Sequence, residues 1–122
     1  MPTRFDLLIK DVQAVDSLNK FNVQSDIGIK GSEITAVAQG LNKEEASTVI
    51  EGNFLTAIPG LIDTHVHLGI SPCGFNMLTR AGVTTALDMS GTSQDIAKTA
   101  LKFGTGITYG TLEAILRQCL PY

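Results

Sequence analysis

Pro59-Gly60-Leu61-Ile62-Asp63-Thr64-His65-Val66-His67-Leu68 is the stretch on which the reading of this chain turns. Its apolar and β-branched residues, entered through a Pro-Gly turn, predict a strand ending near Gly69. Residues two apart on a strand point to one face, their Cα atoms about 6.6 Å apart. His65 and His67, the two histidines of the chain, are therefore expected side by side. They fall at the carboxyl end of the strand, which in a parallel α/β sheet is where sites form. Two imidazoles at that spacing can share one divalent metal. An isolated His-x-His more often only satisfies local hydrogen bonds, so the surroundings decide.

Beyond this stretch, strands and helices alternate. Phe75 to Ala81 suits a short helix closed by Gly82, and Val83-Thr84-Thr85-Ala86-Leu87-Asp88 reads as a strand. Thr92 or Ser93 can cap a helix to about Phe103, with Ile96, Ala97, Ala100, Leu101 and Phe103 as its apolar stripe. Gly106 to Tyr109 is expected as a third strand, and Thr111 as the cap of a last helix with Leu112, Ile115, Leu116 and Cys119 on one face. Such alternation predicts a parallel sheet.

Before it, the pattern is one of short strands and turns. Phe5 to Lys10 is a strand, with Val12 to Val15 either pairing beside it or continuing past a bulge. Asp26 to Lys30 and Glu33 to Ala38 alternate at period two around Gly31-Ser32, a hairpin signal. Thr48 to Glu51 and Phe54 to Ile58, around Gly52-Asn53, are expected to form a second hairpin. The fold class expected is α+β: a small antiparallel β unit, half of a sandwich, over residues 1–58, then an incomplete β/α segment over 59–122.

Composition narrows the function classes. The chain has 122 residues, 43% hydrophobic and 17% charged, too apolar for a disordered polymer. A closed (β/α)₈ barrel takes about 250 residues, so this length is not expected to close one alone. Nine Lys and Arg against twelve Asp and Glu, without a basic cluster, offer no footprint for nucleic acid. No apolar run reaches the roughly 20 residues that span a bilayer, so no membrane partner is expected. Met1 to Asp6 carries a charge where a signal peptide is apolar, and Cys73 and Cys119 make no disulfide framework, so a cytoplasmic location is expected. Cys73 reads as a loop thiol and Cys119 as core. Gly104-Thr105-Gly106 precedes a strand instead of opening a helix, so it reads as turn punctuation and not as a phosphate loop.

Ala57 to Gly69 resembles the signature of the metal-dependent amidohydrolase superfamily, in which a small β-sandwich precedes a strand reading P-G-[LF]-I-D-x-H-x-H that opens a (β/α)₈ TIM barrel. Asp6 to Lys10, Asp26 to Lys30 with Glu33 to Val37, and Val49 to Gly52 sit where such proteins carry their opening sandwich strands. Arg80 to Asp88 resembles the end of the first barrel helix and the second barrel strand. The similarity spans about residues 5 to 90, with the dihydroorotase, hydantoinase and aminoacylase branches nearest.

The resemblance implies that His65 and His67 hold one divalent metal, usually zinc, of a centre that hydrolyses amide or other C–N bonds of a small molecule with metal-activated water. The family's later ligands, and its catalytic Asp, have no counterpart here, so no catalytic residue is assigned within the chain. Asp63 is expected to orient a ligand or cap backbone. Asp88 either approaches the pocket or takes a helix-capping or turn role. Three accounts follow: the amino-terminal part of such a hydrolase, inactive alone; a non-catalytic structural or binding remnant; or an enzyme whose site is assembled from several chains. All three predict self-association or domain exchange, because the partial sheet leaves open edges.

Overall fold

The computed structural model describes residues 3–68, 73–103 and 107–111. The helix expected after Thr111, with Cys119, lies outside the described residues, as do Gly69, Pro72 and Gly104-Thr105-Gly106. The chain divides into two units, Met1–Pro59 and Gly60–Tyr122.

The first unit is a sheet built around one long strand. β1 (Phe5–Asp16) pairs antiparallel with β2 (Phe21–Lys30), which pairs antiparallel with β3 (Glu33–Ala38). Gly31, at φ 59°, supplies the left-handed turn between β2 and β3, as its place in the expected hairpin requires. Residues 12–15 continue β1 past a bulge between Ile9 and Val12, where Asp11 takes φ 53°. Phe5, Leu8, Val12, Ala14 and Ile27 are the buried apolar residues of this unit.

The second hairpin does not form. β4 (Ala46–Glu51) and β5 (Thr56–Ala57) both pair with β1, in parallel and at successive places along it, instead of with each other. The reason lies in the link. Gly52 donates its N–H to the Lys10 carbonyl at 2.8 Å, and a Cβ there would stand 2.2 Å from Val12 Cγ1. The chain is thus pinned to β1 at the level of the bulge, and it resumes pairing further along when Gln13 donates to the Leu55 carbonyl. The sheet is mixed as a result, in the order β3-β2-β1-β4 with β5 also on β1.

In the second unit, β6 (Leu61–Val66), β7 (Val83–Asp88) and β8 (Thr108–Thr111) make a parallel sheet in that order. Helix α1 (Gly74–Arg80) connects the first pair, and α2 (Ser93–Phe103) precedes β8. Gly82, at φ 82°, ends α1 by donating to the Thr79 carbonyl. At the start of α2 the Thr92 hydroxyl oxygen accepts the Asp95 N–H at 3.2 Å and its O–H donates to the Asp95 carboxylate at 2.7 Å. The core joins Val66 and Leu68 to Phe75, Val83, Ala86, Ile96, Ala100 and Ile107. Phe75 meets Tyr109 edge-on with ring centroids 5.7 Å apart. Leu101 departs from the expected apolar stripe and is 87% exposed. At 3.6 residues per turn it lies about 100° around the helix from Ala100, which faces the core. The architecture is mixed α+β, and no helix among the described residues is long and apolar enough to cross a membrane.

Candidate metal centre

Strand β6 delivers the histidines to its carboxyl end. Asp63 and His65 lie within it and His67 just beyond, after Val66. Val66 turns into the core, so the alternating residues His65 and His67 turn away from it, and both are exposed. Their ring centroids are 5.3 Å apart with planes inclined at 47°. Two imidazoles so placed are a fitting pair of nitrogen donors for a zinc-like cation. Among the described residues, no group of three or more His, Cys, Asp and Glu gathers around them. The pair therefore fits part of a coordination shell.

The two aspartates nearest the motif hold backbone. Asp63 Oδ1 accepts the His65 N–H at 3.0 Å, the short-range capping expected of a residue two before its donor. Asp88, at the end of β7, is fully buried. Its carboxylate accepts the N–H groups of Leu68, Ser90 (2.8 Å) and Gly91 (2.9 Å), with the Ser90 hydroxyl at 3.2 Å. Burial pushes this carboxyl up, but the N–H donors of Ser90, Leu68 and Gly91 and the Ser90 hydroxyl outweigh it, so its pKa lies below the ordinary value. Of the two roles open to Asp88 in the sequence, the turn role is what its bonds to Ser90 and Gly91 describe. The bond to Leu68, 20 residues away in the chain, was not foreseeable from local pattern.

Cys73 is exposed just before α1. The first unit carries its own apolar groove of about 330 Å³ between Ala14, Phe21, Ile27, Ile34, Val37 and Ile58, with Asp16 its one ionisable residue, and it includes none of the motif residues.

No family model matches the chain. Adenine deaminase 2 of Agrobacterium fabrum is 37% identical over 86 residues, 67% of this chain and 14% of that protein. Dihydroorotase of Elusimicrobium minutum is 38% identical over 61 residues, covering 50% of this chain and 14% of the enzyme. The chain thus spans about one seventh of the length of these relatives. Among solved structures, the L-hydantoinase of Arthrobacter aurescens aligns with a TM-score of 0.65 at 21% identity, over 88% of this chain and 27% of its own. A variant of atrazine chlorohydrolase from the same species, complexed with zinc and atraton, aligns at 0.63 and 20% identity, over 86% of this chain and 35% of its own.

Proposed function

As the counterpart of the amino-terminal portion of amidohydrolase-superfamily proteins, the chain carries, we propose, the first two metal ligands of a hydrolase acting on a C–N bond of a small molecule, on a first sandwich part (1–58) and the opening β/α units of a barrel (59–122). The observation that carries this reading is the pair His65 and His67 on one side of a strand end, rings 5.3 Å apart. A divalent metal held there, zinc by analogy with the zinc-complexed relative, supplies Lewis-acid polarisation of a carbonyl and acidification of water. The residues' own work is narrower. His65 and His67 would offer ring nitrogens to the metal, Asp63 holds the His65 amide, and Asp88 holds the amide that follows His67. The deaminase and dihydroorotase matches support a C–N bond as the target.

Catalytic zinc sites use three or more protein ligands, and the 122 residues hold two histidines. Among the described residues no third His, Cys, Asp or Glu joins the pair, so hydrolysis needs ligands from outside the described residues, on this chain or on another. Exposed apolar side chains support association: Ile62 is 69% exposed on β6, whose outer edge has no strand beside it among the described residues.

The test is metal content and assembly. Zinc measured in the purified chain should depend on both rings, each of His65→Ala and His67→Ala lowering zinc affinity at least ten-fold with the fold intact by circular dichroism. Light scattering should show an oligomer. Zinc unaffected by either substitution, or no zinc binding at all, overturns the metal reading, and a dilute stable monomer overturns the association.

A further inference from the structure

His67 sits between two backbone ties. The carbonyl of Val66, on one side, accepts the Met89 N–H at 2.9 Å. The N–H of Leu68, on the other, is donated to the Asp88 carboxylate. Both ties end on the last residue of β7 or the one after it. Between Asp63 and Val66 the β6–β7 ladder is irregular, and there the Asp63 carboxylate takes the His65 amide instead. Side-chain oxygens thus hold the backbone of the histidine segment where strand pairing lapses.

The two carboxylates are unequal. Asp63 is half-buried and caps a neighbour two residues away. Asp88 is buried and binds three backbone amides drawn from two separate segments, Leu68 on one side and Ser90 and Gly91 on the other. A buried charge is costly unless oriented donors satisfy it, and here one donor follows His67 while the others lie in the segment after β7. We infer that Asp88 is the positioning residue of the candidate metal centre, acting through the Leu68 amide to fix the backbone that carries His67 and tying it to the loop between β7 and α2. The inference rests on the reading of His65 and His67 as ligands. The Asp88 carboxylate is engaged by these amides and the Ser90 hydroxyl, so its part is assigned through them and not as a ligand.

The experiment is a Zn²⁺ titration of the full chain, followed by the ring NMR signals of His65 and His67, for wild type and Asp88→Asn. The amide keeps the side chain's shape but offers one acceptor oxygen in place of two. Zinc affinity should fall about ten-fold, at the lower end of the range for groups that orient metal ligands, at a temperature where both proteins are folded by circular dichroism. A merely structural role leaves that affinity unchanged. Should Asp88→Asn not fold, hydrogen exchange in wild type decides: by linkage, Zn²⁺ saturation must slow exchange at the Leu68 and Gly91 amides. Failure of both rings to respond to Zn²⁺ in wild type overturns the ligand reading and the inference with it. Normal zinc binding with unchanged affinity in Asp88→Asn, or with unaltered Leu68 exchange, overturns the role of Asp88 alone.

Discussion

Asp26 in the first unit and Asp88 in the second are both buried carboxylates that stitch distant backbone together, yet one meets a cation and the other only N–H and O–H donors. Asp26 accepts Lys10 Nζ at 2.6 Å, the Leu41 N–H at 2.8 Å and the Asp11 N–H at 3.0 Å. Lys10 is itself buried, and its ammonium also donates to the Leu41 carbonyl. That knot stands at the β1 bulge, where the Asp11 amide has left the ladder. Asp88 has no ion pair among the described residues, and oriented backbone dipoles do the same work. A counter-ion ties the charge to one more side chain. Backbone donors tie it chiefly to chain path, which suits a position whose purpose is to fix a strand end.

Strain divides the same way. The non-glycine residues at positive φ among those described, Asp11, Lys20 and Phe54, all lie in the first unit, whereas the second uses Gly82. Among the described residues, the unit with the buried Lys10–Asp26 pair is the one that bends non-glycine backbone against preference, and the unit with the histidines does not.

The sharpest break of this contrast is Asp26→Ala. It strands a buried ammonium and two amides, and should cost about 3–5 kcal/mol, read as lost protection of the first unit's amides in native-state hydrogen exchange. Lys10→Met converts the first knot into the kind found at Asp88, a carboxylate held without a cation. Its cost should be smaller, about 3 kcal/mol at most, because the Asp11 and Leu41 amides keep their acceptor. Asp88→Asn removes the charge from a bond set without a cation and should cost about 2 kcal/mol in thermal unfolding followed through the second unit.

Acid should act on both knots alike. For Asp26, burial pushes the carboxyl up, but the Lys10 ammonium and the Asp11 and Leu41 amides outweigh it, leaving its pKa, like that of Asp88, below the ordinary aspartate value of 3.8. A carboxyl depressed in the folded state stabilises fully above the unfolded value, and its contribution disappears as pH falls through the folded one. The gap between wild type and either variant, Asp26→Ala or Asp88→Asn, should therefore narrow as pH drops below 3.8. A gap that widens in acid contradicts the assignment. The smallest effect concerns strain. Phe54 is fully exposed at φ 68°, so Phe54→Gly relieves left-handed backbone and loses no packing. Against the extra chain entropy of glycine, it should raise stability by about 0.5–1 kcal/mol, seen as a higher denaturation midpoint.

Much of the second unit was legible beforehand. Val83 to Asp88 forms the strand its β-branched residues predict, and Gly82 closes α1 as a terminal glycine does. The exposed Leu101 was misplaced because two adjacent apolar residues on a helix cannot share one narrow stripe, and Ala100 holds it. In the first unit the hairpin at Gly31-Ser32 was legible and that at Gly52-Asn53 was not. Both dipeptides contain a turn glycine, but at Gly52 the glycine serves close approach to Val12 and Lys10, a contact that sequence periodicity does not encode. Lys10 and Asp26 read as ordinary polar positions of alternating strands. Their burial follows from the bulge, which needs three segments to meet.

Spacing along the chain alone placed His65 beside His67, because the pleat of a strand returns every second side chain to one face whatever surrounds it. Fold class followed from similar local periodicities and from the signature around the pair. The parallel seating of β4 and β5 on β1, and the capture of the Leu68 amide by Asp88, belong to the tertiary structure. Each depends on which distant groups compete for one donor or one strand edge, and that competition is settled only when the segments pack.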